Sequence, residues 1–243
     1  MSDLPEKPHA VPQFEPTRWS LVLRARGGDE AQRRVALEAL CSAYWYPLYA
    51  YLRRSGRGVE DAEDLAQEFF VRLMDGRLIG AADPARGKFR TLLLTALHGQ
   101  DVNAWRAAGA EKRGGGERLV ALDGAEEKWL ADGSKEGEPD AAFDRAWAAT
   151  VVDRASMTLK QEFDAAGKGA VFDELFPRVS GGAKEEGFRA IGERLGMTES
   201  NAKMTFHRMR QRFVDALKAE IGETVGSRED LQGELRYLLS LFL

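Results

Sequence analysis

The chain has 243 residues, of which 44% are hydrophobic and 30% charged, with a net charge of −4. This is the make-up of one large or two small globular domains, and it excludes a protein that coats nucleic acid by bulk charge. No run of about eighteen uncharged apolar residues occurs, so no membrane insertion is expected. The start MSDLPEKPHAVPQ lacks a basic stretch followed by an apolar one, and Cys41 is the single cysteine, which excludes an intrachain disulfide. A cytoplasmic protein is expected.

Residues 1–16 contain four prolines and are expected to be disordered. A short amphipathic helix is predicted from Thr17 to Arg26, with Trp19, Val22 and Leu23 on its apolar side, ended by Gly27-Gly28-Asp29. The aromatic-rich VALEALCSAYWYPLYAYLRR predicts a second helix that Pro47 should kink or break. Gly56-Arg57-Gly58 is a turn. From Val59 to Met74, Leu65, Phe69 and Leu73 recur at four-residue spacing and predict a helix with one buried stripe. Residues 75–88, with Gly76, Gly80, Pro84 and Gly87, predict a loop, and a further helix begins near Lys88. Gly114-Gly115-Gly116 stops it. The acidic stretch 117–142, with Gly and Pro interspersed, predicts a flexible linker. Beyond it Phe143, Trp147, Val151, Ala155 and Leu159 share one helical face. No alternating β-branched run appears, so the expected fold class is all-α: two small helical domains, 17–116 and 143–221, with a helical extension over 222–243.

Charge is segregated along the chain. Glu60, Asp61, Glu63, Asp64 and Glu68 lie within 59–70 without a cation, and Asp61, Asp64 and Glu68 fall on one side of the predicted helix. Carboxylates so close repel one another, and a partner rich in Arg or Lys would relieve them. A solvated acidic face and a carboxylate metal site are the alternatives, the latter lacking a second acidic motif or a His pair. Residues 86–118 are basic, with Arg86, Lys88, Arg90, Arg106, Lys112, Arg113 and Arg118.

The sharpest local motif is FRAIGERLGMTESNAKMTFHRMRQRF, residues 188–213. Phe188, Ile191 and Leu195 form the inner stripe of a short helix. Gly196 permits the positive φ of a tight turn. Thr198 suits the N-cap of the next helix and Glu199 its first turn. Gly192 lies where a small residue lets two helices approach. Ala202, Phe206, Met209, Phe213 and Leu217 make the second helix's buried stripe. Its other side displays Ser200, Asn201, Lys203, Met204, His207, Arg208 and Gln211. Short polar groups near a helix N-terminus with cations further along are what a DNA-recognition helix needs, and a plain helical hairpin with a solvated basic face has the same pattern.

Taken together, these segments resemble the sigma-70 family of RNA polymerase sigma factors, in the extracytoplasmic-function (ECF) arrangement. DAEDLAQEFFVRLM resembles the core-binding segment of sigma domain 2. KFRTLLLTALHGQDVNAWRAAGAEKRGGG, residues 88–116, resembles the promoter-melting and −10-reading segment, and 188–213 resembles the helix-turn-helix of domain 4, which reads the −35 element. The resemblance implies partners: RNA polymerase core, through its β′ coiled coil and β flap, promoter DNA, and an anti-sigma factor or other regulator. It places Asp61, Asp64, Gln67 and Glu68 on the polymerase. It makes 75–88 the loop that captures a flipped base, with Arg86, Lys88 and Arg90 holding the backbone there. It sets Arg106, Lys112 and Arg113 on the upstream duplex, counts Asn103 among the −10-region DNA contacts, and threads the acidic linker through the polymerase's nucleic-acid channel. Leu92, Leu93 and Leu94 depart from the family's aromatic and basic pattern, as do His98 and Asn103. The tail 227–243 has an apolar stripe that must dock on this chain or on a regulator. No nucleophile motif, P-loop or dinucleotide fingerprint occurs, and His9, His98 and His207 are scattered, so neither an enzyme nor a cofactor or metal is expected. The alternative is a helix-turn-helix regulator that acts without being a polymerase subunit, or a helical adaptor that would need no basic recognition face.

Overall fold

The computed structural model describes residues 19–83, 88–98, 124–131, 137–180 and 187–241. The disorder expected over 1–16 lies outside them. Among the described residues there are eleven helices and no strand, as the all-α expectation requires.

Helix α1 (Ser20–Gly27) buries Trp19 just ahead of it and Val22 and Ala25 within it. Leu23, expected on the apolar side, is instead 47% exposed. Ala25 lies three residues on from Val22, and it rather than Leu23 completes the buried face. Helix α2 (Glu30–Arg54) starts earlier than the aromatic run, because Asp29 accepts a bond from the Gln32 amide and caps it. It also passes Pro47 unbroken. A proline inside a helix costs about 3 kcal/mol through its missing N–H and its clash with the preceding turn. Here Tyr44, Trp45, Tyr46, Leu48, Tyr49 and Ala50 are all buried around it, and packing on every side holds the helix together.

Helix α3 (Val59–Met74) has the predicted bounds, and Leu65, Phe69 and Leu73 are buried along it. Gly56, at φ 83°, makes the turn before it. The expected loop 75–88 contains one helical turn, α4 (Arg77–Gly80), launched from Gly76 at φ 83°. Helix α5 (Phe89–His98) follows. Part of the expected linker is helical too. Helix α6 (Ala125–Ala131) docks on α2, where Glu126 accepts hydrogen bonds from Tyr49 Oη (2.5 Å) and from Arg53 Nε and Nη2 (3.0 and 2.8 Å).

Helix α7 (Pro139–Ala165) decides the architecture. Its stripe of Phe143, Trp147, Val151, Ala155 and Leu159 is buried as predicted. The first half packs on α2, where Tyr44 stacks on Phe143 at 6.5 Å and meets Phe89 edge-on at 5.4 Å. The second half carries Phe163 against Phe172 of α8 (Gly169–Val179), and Phe176 of α8 meets Phe213 edge-on at 5.2 Å. The two expected bodies are therefore joined by a helix that contributes to both, and the buried side chains form one continuous core. The last elements are α9 (Phe188–Leu195), α10 (Glu199–Gly222) and α11 (Arg228–Ser240). The tail 227–243 docks on this chain through α11, with Leu238 and Glu234 buried.

Candidate nucleic-acid interface

Helices α9 and α10 are joined by a tight turn at Gly196. Gly196 sits in the left-handed region at φ 65°, ψ 30°, and the Met197 amide donates to the Gly192 carbonyl at 2.8 Å, closing the end of α9. A Cβ on Gly192 would lie 2.7 Å from the Met197 carbonyl oxygen, so only glycine allows this approach. Thr198 caps α10 by accepting from the Asn201 amide at 3.2 Å. Ala202, Met209, Phe213 and Leu217 are buried and Phe206 is half-buried against Phe188. Ser200, Asn201, Lys203, Met204, His207, Arg208 and Gln211 are all exposed, on the side away from that stripe. Lys203 pairs with Glu199 one turn back at 2.6 Å, which holds the Glu199 carboxyl below its usual range. Gln211 donates to Asp215 at 3.3 Å. Both partners are solvent-exposed, so exchange for a ligand contact costs little.

The acidic face of α3 is less uniform than its sequence. Asp64 is exposed, whereas Asp61, Gln67 and Glu68 are half-buried. Glu68 accepts from Arg72 at 2.7 Å, an i,i+4 pair formed by a cation just beyond the acidic run. The patch is therefore centred on Asp64. Among the described residues no cluster of His, Cys, Asp or Glu is placed to hold a metal.

The basic segment differs most from expectation. Arg86, Asn103, Arg106, Lys112 and Arg113 lie outside the described residues. Lys88 and Arg90, expected to hold a nucleic-acid backbone, are turned inward. Arg90 Nε and Nη2 donate to the two Glu234 carboxylate oxygens at 3.1 and 2.9 Å, and Nη1 donates to Asp144. Lys88 Nζ reaches Glu234 at 2.8 Å. Tyr237 Oη donates to the other Asp144 oxygen at 2.5 Å, and the guanidinium lies between the Trp147 and Tyr237 rings at 4.9 and 4.8 Å. The Arg90 side chain is 11% exposed and that of Glu234 2%. Burial alone would lower the Arg90 pKa, but the bonds and charges of Glu234 and Asp144 more than offset this and raise it. Two cations meet two anions, so the buried group is neutral as a whole. Its signal in the sequence is a charged residue on an apolar stripe: Glu234 between Leu231, Leu235 and Leu238, and Asp144 beside Phe143 and Trp147.

The described chain is thus an all-helical protein with a capped, glycine-turned helix pair whose polar and basic side is open to solvent, and with an acidic helix, α3. The family model of Sigma-70 region 2 matches residues 42–111. That span runs from the middle of α2 through α3 and α5 and takes in the acidic helix and the basic segment as far as residue 111, which supports a role in RNA polymerase binding and promoter melting. No curated protein and no solved structure matches the chain. No described helix is long and apolar enough to cross a membrane.

Proposed function

We propose that this protein is a sigma factor of the ECF type: it binds RNA polymerase core through α3, opens the −10 region with the segment that follows, and reads the −35 element with α10. The observation that carries this reading is the conjunction of Sigma-70 region 2 at 42–111 with a glycine-turned, threonine-capped helix-turn-helix after it, its polar and basic side exposed. Region 2 alone accounts for polymerase binding and melting, and α10 supplies the second contact that promoter selection needs. The protein acts by binding, with no chemistry of its own. Asp64 and Glu68 would meet Arg or Lys of the β′ coiled coil. Ser200, Asn201 and Lys203, near the N-terminus of α10, would face base edges, and Arg208 a phosphate. Among the described residues, α6 and the start of α7 are the elements between region 2 and the helices of the second half, which supports the ECF arrangement.

The test is a pull-down of RNA polymerase core and run-off transcription with the Asp64→Arg, Glu68→Arg double variant. Asp64 is exposed and Glu68 loses one partly exposed ion pair, so folding should weaken by less than about 1 kcal/mol. Reversed charges at an interface cost several kcal/mol, so polymerase capture and transcription should both be lost. Undiminished capture by a folded double variant refutes the role of α3. Specific DNA binding by the wild-type chain alone, with no effect of polymerase, would favour a regulator that is not a polymerase subunit.

A further inference from the structure

The buried group around Arg90 ties the C-terminal helix to region 2 across 144 positions of sequence. Neighbouring bonds run the same way. Ser20 Oγ donates to Glu223 at 2.5 Å, Arg24 lies 3.6 Å from that carboxylate, and the Phe89 amide donates to the Thr224 carbonyl at 3.3 Å. We propose that α11 is an intramolecular clamp: its Glu234 and Tyr237, with Asp144 of α7, hold Lys88, just ahead of α5, and Arg90 within it away from nucleic acid, and release of α11 frees them. The proposal rests on reading α5 as part of a nucleic-acid-facing segment.

Three features make the contact a clamp rather than ordinary core. First, it sequesters Lys88 and Arg90 of the basic segment, using both Glu234 oxygens and one Asp144 oxygen, while the other Asp144 oxygen accepts from Tyr237. A phosphate backbone offers the same chemistry, anionic oxygens for a guanidinium fork and an ammonium, so the acids of α11 and α7 occupy the positions a backbone would take. Second, the contact is polar where it could have been apolar. A buried ion pair contributes little net stability because desolvation offsets the attraction, so separation returns both sides to water at modest cost. Third, α11 can leave as a helix. Ser227 caps it by accepting from the Asp230 amide at 3.0 Å, Glu229 and Asp230 fall in its first turn, and only Glu234 and Leu238 of its thirteen residues are fully buried.

The experiment uses the full chain with Glu234→Gln and Asp144→Asn together, and Tyr237→Phe as a milder second variant. Both leave every apolar contact of α11 in place, and circular dichroism reports whether the fold is kept. Removing the acids leaves Arg90 buried without a counter-charge, which should shift the closed-to-open ratio by about a hundredfold. Hydrogen exchange at α11 amides should speed up by about that factor while α3 amides keep their rates. Fluorescence titration should show the double variant, in complex with RNA polymerase core, binding labelled promoter DNA about tenfold tighter or better, with Tyr237→Phe between it and wild type. Equal acceleration in α11 and α3 would overturn the proposal, since the group would then only stabilise the whole fold. Release of α11 with unchanged DNA affinity would overturn it as well, because nothing functional would have been withheld. If neither wild type nor variant binds polymerase, the sigma-factor reading falls. Exchange at α11, together with anisotropy of a fluorescent single-stranded DNA, then decides the clamp: faster exchange with tighter DNA binding upholds it, and no gain in DNA binding overturns it.

Discussion

Adding one methyl group at Gly192 and the same group at Gly233 should move stability in opposite directions. Both glycines lie inside helices, α9 and α11, where alanine is favoured over glycine by roughly 0.8–1 kcal/mol. At Gly233 a new Cβ meets nothing within 4 Å, so that gain stands and Gly233→Ala should stabilise by about 0.5–1 kcal/mol. At Gly192 the Cβ would lie 2.7 Å from the Met197 carbonyl oxygen and 3.3 Å from the Thr198 carbonyl carbon. Both are backbone atoms of the turn, fixed by the Met197-to-Gly192 hydrogen bond at 2.8 Å, and cannot swing aside as a side chain would. Overpacking costs about 1–3 kcal/mol, towards the upper end against backbone, so Gly192→Ala should lose about 2 kcal/mol net. For a chain of this length that is a fall in Tm of roughly 4–8 °C. Urea denaturation followed by circular dichroism measures both changes. If Gly192→Ala raises the midpoint as Gly233→Ala does, the close approach of α9 and α10 is not what holds the helix-turn-helix together. Because the shift reorients α10 against α9, run-off transcription should fall in Gly192→Ala even where the protein remains folded.

Two further outcomes are expected. Lys203→Ala should leave the fold unchanged, since it breaks only an exposed pair with Glu199, but it should relax −35 preference at one position by about 1–3 kcal/mol, read from run-off transcription over a promoter library; unchanged strength and preference would refute placement of α10 in the major groove. Tyr44 and Tyr237 are pushed by burial from 10 up to about 12, so their folded-state values exceed the unfolded ones: the stability they contribute is full below pH 10 and is lost as pH rises through about 12. Urea midpoints from pH 9 to 12 should show this loss, and Tyr44→Phe with Tyr237→Phe should flatten it; an equal slope in the double variant would refute the assignment.

What could be read from the sequence alone depended on neighbours three or four residues apart. The bounds of α3, the buried stripe of α7 and the Gly192, Gly196 and Thr198 pattern of the helix-turn-helix all follow from helical periodicity, capping and the steric freedom of glycine, which act within a turn or two. The exposure of Ser200, Asn201, Lys203, Met204, His207, Arg208 and Gln211 followed for the same reason, because the opposite stripe had to be buried. Tertiary structure decided the rest. Pro47 passes through α2 because side chains from other helices enclose it, and no local signal reports that enclosure. The expected linker is partly helical because Glu126 finds Tyr49 and Arg53 on α2. Lys88 and Arg90 read as exposed cations, since charge patterning cannot show that Glu234 lies opposite them. Periodicity predicts which side of a helix is buried, whereas a partner more than a hundred residues away is set by how the helices stack, and only the folded chain brings those charges together.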